Sequence, residues 1–222
     1  KDPDKLFKYG LTAFQAGRND ISIKTWEHVI ELDPYYHTVY AYLAKAYENE
    51  GMIQEGYKTA KKGLDVDSFN KELYFLAGIL AHQNGFSAES ESFIRESIAL
   101  DPDYKEAILF LIEFYKEREE HEKTIDLISE IKNTGGSDPL YEWELARAYN
   151  EQELYKDALN AYESAYNNLN QDSDFLKEYG YFLTEEGRIE KAVQIFRSYL
   201  VLEPDDFEVE EYISRLDDSL DM

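Results

Sequence analysis

The chain has 222 residues, with 23 Lys and Arg against 47 Asp and Glu, a formal net charge of -24, and no cysteine. That charge disfavours nucleic-acid phosphates, whose capture depends on Lys and Arg releasing counterions, and disfavours an anionic membrane surface for the same reason. Without cysteine there is no disulfide frame, thiolate nucleophile or Cys-based zinc site, which fits an expected reducing, cytoplasmic setting.

The chain opens on Lys1 without a methionine and enters a helical pattern at once, which suggests a piece excised or processed from a longer protein. A 34-residue period then runs without insertion or deletion through units 3–36, 37–70, 71–104, 105–138, 139–172 and 173–206. Each unit reads as two helices joined by a tight turn, so the predicted fold is all-α, one undivided array of six helical hairpins.

In the first unit Leu6, Tyr9, Gly10 and Ala13 are predicted to face Ser22, Trp26 and Val29; in the second, Tyr40, Leu43, Ala44 and Tyr47 face Gly56, Ala60 and Gly63. The third unit shows the pattern most plainly: Tyr74, Ala77, Gly78 and Ala81 recur at i, i+3, i+4 and i+7 on one helix face. Asn84-Gly85 ends that helix, Ser87 is placed to cap the next, and Asp101-Pro102 stops it. The fourth unit has the bulkiest interior, with Ile108, Leu111, Ile112, Tyr115, Ile125, Ile128 and Ile131, and is expected to anchor the core. The run NTGGSDP at 133–139 replaces the usual helix end, which predicts a shortened second helix and a bend or looser joint.

The fifth unit sets Leu145, Ala146 and Tyr149 against Ala158, Tyr162 and Ala165, with Glu142 where a large apolar residue is expected between Tyr141 and Trp143. A rotated helix start, or burial shared by those two neighbours, would accommodate it. The sixth unit has Leu176, Tyr179, Gly180, Leu183, Ala192 and Phe196 inside. Residues 207–220 form an amphipathic helix with Val209, Tyr212, Ile213, Leu216 and Leu220 on one face. It reads as a terminal cap, or else as the first half of a truncated seventh unit, and Asp221-Met222 suggests a natural end.

The places where paired helices must approach carry Gly10, Ala44, Gly78, Ile112, Ala146 and Gly180, and Ser22, Gly56, Ser90, Thr124, Ala158 and Ala192; eleven of these twelve are small. The turn place reads Gly17, Gly51, Gly85, Glu119, Glu153 and Gly187, and Pro34, Pro102 and Pro204 close three units. With aromatic Tyr47, Tyr115 and Tyr149 and small Ala165 at their expected places, the chain resembles the tetratricopeptide repeat family over about nine tenths of its length. The resemblance implies an α-solenoid with a C-terminal capping helix, wound as a right-handed superhelix.

Catalytic chemistry is not expected. His28, His37, His82 and His121 fall in different units at different repeat places, none in an HExxH-type pair, and Gly135-Gly136 lacks the Lys-Ser/Thr of a phosphate loop. The carboxylates are spread along solvated helix faces rather than paired in a dry pocket. No cofactor or metal is predicted, and no apolar run approaches the roughly 20 residues that span a bilayer.

The surface carries the functional reading. The resemblance implies that one ridge of the first helices lines the concave, ligand-holding side: Phe7, Ala41, Phe75, Leu109, Trp143 and Lys177, then Leu11, Lys45, Ile79, Glu113, Arg147 and Tyr181. Seven of these twelve are aromatic or large aliphatic. Phe75, Ile79, Leu109 and Trp143 are therefore the expected floor of a partner-binding groove, with Tyr181 further along and Arg147 and Lys45 as polar contacts. The alternative is that these side chains pack between adjoining first helices. The Lys and Asn carboxylate clamp of chaperone-binding relatives is missing in every unit, with Phe7 and Leu11, Ala41 and Lys45, and Phe75 and Ile79 at the clamp places of the first three. An acidic rim of Glu72, Glu106, Glu117, Glu151 and Glu185 suits a protein or peptide with an apolar anchor and a basic flank. Two functions remain open here: a non-enzymatic interaction scaffold, or the sensor or targeting half of a larger regulator.

Overall fold

The computed structural model describes residues 2–220. Among them are thirteen α-helices and no strand: α1 Pro3–Gln15, α2 Asn19–Leu32, α3 Thr38–Asn49, α4 Ile53–Val66, α5 Lys71–Gln83, α6 Ser87–Leu100, α7 Lys105–Lys116, α8 His121–Asn133, α9 Pro139–Glu151, α10 Tyr155–Leu169, α11 Ser173–Glu185, α12 Ile189–Leu202 and α13 Phe207–Leu220. The predicted all-α solenoid of hairpins with a capping helix is what forms. The suggested end at Asp221-Met222 and the side chain of Leu220 lie outside the described residues.

Packing gathers into two compact units, Lys1–Glu113 and Phe114–Met222. In the first, α1 pairs with α2, α3 with α4 and α5 with α6; in the second, α9 pairs with α10 and α11 with α12. The boundary between these units lies inside α7 of the bulkiest repeat. The joint was expected at 133–139 instead. There α8 stops at Asn133, one residue short of the place where α2, α4, α6 and α12 stop. Gly135 takes φ +95° and the Gly136 amide donates to the Ile131 carbonyl at 3.0 Å, so the turn is hydrogen-bonded rather than loose.

Each hairpin turn is built the same way. The residue at the turn place is left-handed, and the amide after it closes on a carbonyl five residues back, as from Phe86 to Ala81 at 2.9 Å and from Leu154 to Tyr149 at 2.9 Å. Gly17, Gly51, Gly85 and Gly187 adopt this conformation without a Cβ penalty, but Glu119 and Glu153 are forced into it, each at φ 58°. The second helices use no side-chain cap, so Ser87 is the first residue of α6 rather than its expected cap. Capping occurs at first helices instead, where Asn70 accepts from the Leu73 amide at 2.9 Å and Asp172 from the Phe175 amide at 3.0 Å.

Inside the hairpins, volume is exchanged across the pair. A Cβ on Gly78 would stand 2.5 Å from Cδ1 of Ile94, and one on Gly180 would stand 2.6 Å from the Phe196 ring. Gly10 likewise faces Trp26, which is fully buried and donates its indole N–H to the Phe7 carbonyl at 3.2 Å. In the second hairpin, where Ala44 takes the glycine place, the second helix carries Ala60 instead of a bulky residue, and both are fully buried. At the start of α9, burial is shared as one expected option had it: Tyr141 and Trp143 are buried while Glu142 is drawn to Lys132 at 2.6 Å.

The sixth hairpin is closed by α13, which starts at the repeat place of a first helix and buries Val209, Ile213 and Leu216. Its N-terminus is fixed by Asp206, whose carboxylate accepts from the Val209 amide at 3.2 Å, Lys177 Nζ at 2.7 Å and the Tyr199 hydroxyl at 2.6 Å. The Lys177 bond, then the Tyr199 bond, hold the Asp206 pKa down to about 2. One expected core residue fails: Tyr9 is 60% exposed, because the face of α1 that carries it has no helix against it among the described residues.

The turn strain can be released by substitution. A non-glycine left-handed residue costs about 1–2 kcal/mol, against about 0.4–1 kcal/mol of extra chain entropy that glycine loses on folding. Glu153→Gly is expected to raise unfolding stability by about 0.5–1 kcal/mol in urea titration, and Gly85→Glu to lower it; a stability loss in Glu153→Gly would contradict the turn assignment.

Candidate functional site

The first helices of successive hairpins stand side by side in the first unit, α1 on α3 and α3 on α5. Between them lies an open groove of about 280 Å³ lined by Phe14 of α1, Ala41, Tyr42 and Lys45 of α3, and Glu72, Phe75, Leu76 and Ile79 of α5. Three of the predicted residues, Lys45, Phe75 and Ile79, are thereby brought together. The period explains this: Ala41 and Phe75 are one repeat apart, as are Lys45 and Ile79, so the same helix face recurs on α3 and α5.

The groove floor is preorganised by rings behind it. Phe75 is held edge-on by Tyr104 at 5.3 Å and by Phe110 at 6.0 Å. Tyr42 packs on Phe7 at 5.4 Å, on Trp26 at 5.6 Å and on Phe14 at 6.4 Å. At the rim, Lys45 is bound by Glu48 at 2.6 Å, which neutralises its charge locally. Glu72 is 64% exposed, and its nearest cation, Lys71 at 3.9 Å, is committed to Asp101. The mouth is therefore acidic. Phe14 and Tyr42 lie outside the two repeat places from which the ridge was predicted; the signal for Tyr42 was its neighbour place, which carries Leu76 and Phe110 in the next units. Leu109 of α7 is half-buried and does not line the groove.

The other predicted site residues sit in the second unit, where the structure gives them different work. Trp143 is only 7% exposed, edge-on to Phe175 at 5.5 Å, and its indole N–H donates to Glu178 at 2.7 Å. Arg147 stacks on that indole, 4.0 Å from the ring centroid, and donates from Nε and Nη2 to the two oxygens of Glu178 at 2.9 and 2.6 Å and from Nη1 to Glu144 at 2.7 Å. Tyr162 is the third residue to donate to Glu178, from its hydroxyl at 2.9 Å. Burial opposes the Arg147 charge, but the paired bond to Glu178 outweighs it and raises the pKa. Burial, with the Glu178 charge beside it, pushes the Tyr162 hydroxyl up. Trp143 and Arg147 thus sit in a cluster that ties α9, α10 and α11 together. Tyr181 is 38% exposed and lies on Phe196 at 5.0 Å and on Tyr212 of α13 at 5.4 Å.

A family model described as YpiA-like, C-terminal tetratricopeptide repeats matches residues 139–206. The TPR repeat-containing protein YpiA of Bacillus subtilis (strain 168) is 42% identical over 217 residues, covering 98% of this chain and 51% of YpiA. The chain belongs to the tetratricopeptide repeat family. This TPR chain spans about half the length of that curated relative. The C-terminal part of a TPR repeat-containing protein from Cytophaga hutchinsonii shares the fold with a TM-score of 0.80 at 16% identity, over 95% of this chain and 87% of that one. YrrB, described as a TPR protein with an unusual peptide-binding site, has a TM-score of 0.63 at 13% identity, over 84% of this chain and 96% of its own. Among the described residues no cluster of His, Cys, Asp and Glu is arranged to hold a metal, and no helix is long and apolar enough to cross a membrane.

If Trp143 is a packing residue, Trp143→Ala should cost about 3–5 kcal/mol through the cavity it leaves. Trp143→Phe keeps an aromatic ring but loses the bond to a charged acceptor and part of the buried ring, so it should cost at least about 1.5–3 kcal/mol. Urea unfolding of both variants measures this; changes below about 0.5 kcal/mol, the surface range, would place the indole outside the core.

Proposed function

We propose that this TPR chain is a non-enzymatic scaffold whose first unit captures a peptide segment or partner helix in the α1–α3–α5 groove. A general role in protein or peptide binding accompanies membership of the family; the groove specifies how such binding would occur here. The supporting observation is the groove itself, an apolar floor of Phe14, Tyr42, Phe75, Leu76 and Ile79 beneath a mouth that carries the exposed Glu72 carboxylate, whose cation Lys71 is shared with Asp101. Such a floor takes one bulky apolar side chain as an anchor, since binding energy concentrates in a few buried contacts. The acidic mouth selects a Lys or Arg beside that anchor, and Glu106, exposed on α7, adds to the field. The peptide-binding site for which YrrB is described supports a peptide as ligand class for this fold.

A second reading, the sensor or targeting half of a larger regulator, draws support from YpiA being about twice the length of the matched segment. The groove would serve in either setting, with the partner's identity set by the anchor and flank.

Synthetic peptides carrying a Phe or Leu anchor between two Lys, or between two Glu, provide the test by fluorescence anisotropy. The Lys-flanked set should bind and the Glu-flanked set should not. Phe75→Ala should weaken binding roughly 30-fold, as expected for loss of about 2 kcal/mol at an anchor contact. Glu72→Lys should weaken it by about twofold to fivefold, the range for an exposed ion pair. Equal affinity for both peptide sets, or unchanged binding by folded Phe75→Ala protein, would contradict the proposal.

A further inference from the structure

One repeat place behaves differently in the first hairpin from every later one. Tyr9 is 60% exposed, whereas the residues one to six periods further on, Leu43, Ala77, Leu111, Leu145, Tyr179 and Ile213, are between 0 and 7% exposed. The period makes these seven side chains equivalent in position on their helices, so the difference comes from what lies against the helix. In the later repeats that neighbour is the second helix of the preceding hairpin. Tyr162 of α10 stacks on Tyr179 of α11 at 5.2 Å, and the Tyr47 hydroxyl of α3 donates to Glu27 of α2 at 2.6 Å. Among the described residues α1 has no such neighbour, and Leu6 on the same face is only half-buried.

We infer that the Tyr9 face of α1 is an interface for an amphipathic helix supplied by sequence ahead of Lys1 in the natural protein, packed on α1 as α2 packs on α3. Its apolar stripe would carry a large side chain over Tyr9, by analogy with Tyr162 over Tyr179, and a small residue near Leu6. Three observations favour this occupant over an unrelated partner. The exposed face is the one that receives the preceding hairpin throughout the chain. A tyrosine at an otherwise solvated place presents a large apolar ring with a polar tip, as interface aromatics do. The similarity to YpiA covers 98% of this chain but only 51% of YpiA, and the repeats matched at 139–206 are described as C-terminal, so the relative has about as much sequence again, with room for preceding repeats. The inference is independent of the groove between α1, α3 and α5.

Hydrogen exchange of the α1 amides, read by mass spectrometry, tests it in two proteins: the 222-residue chain and the natural protein with the residues that precede Lys1. The α1 amides should exchange about tenfold or more slowly in the longer protein, because helix opening there must first break the added interface. Tyr9→Lys should return α1 of the longer protein to the exchange rate of the shorter one, while leaving the shorter one unchanged. Equal α1 exchange in both proteins, or an equal effect of Tyr9→Lys in both, would overturn the inference. So would protection of α1 that rises with the concentration of the 222-residue chain alone, since the occupant would then be a second copy.

Discussion

Two helices can approach closely where a glycine on one yields the volume that a bulky side chain on the other supplies. In this chain the first helix yields in three hairpins and the second helix in another, and the constraint is tight: a single Cβ at Gly180 would lie 2.6 Å from the Phe196 ring, one at Gly78 2.5 Å from Ile94, and one at Gly63 of α4 2.5 Å from Cβ of Tyr40 in α3. Real Cβ atoms do not reach such distances, so the glycine and its bulky partner specify one another. In the second hairpin both of these places are small, Ala44 and Ala60, and both are fully buried. Everything that follows depends on this approach, because it fixes which faces of the first helices remain turned outward. Where those faces meet at α1, α3 and α5, the residues left over form the groove.

The two units show how one repeat frame is put to different uses. In the first, the ridge places carry Ala41, Lys45, Phe75 and Ile79, whose side chains stop short of filling the space between helices. In the second, the same places carry Trp143 and Arg147, which are long enough to cross to Glu178 of α11 and close the space with a charged, hydrogen-bonded cluster. Glu178 accepts from Trp143, Arg147 and Tyr162 at once. A half-buried carboxylate so well supplied with donors acts as a joint between hairpins, and losing any one donor leaves charge less compensated.

The helices were largely legible in the sequence, because punctuation at a fixed period constrains them without reference to packing. All six second helices start where the period puts them, and Asn84-Gly85 and Asp101-Pro102 end theirs as read. The site was legible in part. Phe75, Ile79 and Lys45 follow from the frame, but the burial of Trp143 does not, since its partner Glu178 is 35 residues away and reads as an ordinary surface acid. Tyr9 misleads in the opposite sense: its helical place is a core place, and only the absence of a neighbouring helix among the described residues exposes it. The division inside α7 also had no sequence signal, whereas NTGGSDP, which looked like a break, is held by the Gly136 bond to Ile131.

Volume exchange between paired helices is the claim on which this account rests, and a double-mutant cycle at Gly180 and Phe196 tests it most directly. Gly180→Ala alone should destabilise by about 1–3 kcal/mol, as overpacking does. In a Phe196→Ala background the added methyl enters the space the ring has left, and alanine is about 1 kcal/mol better than glycine within a helix, so the same change should become neutral or stabilising. The coupling in urea unfolding should exceed about 1 kcal/mol. Equal cost of Gly180→Ala in both backgrounds would show that the glycine and the ring do not compete for one volume, and would contradict the account.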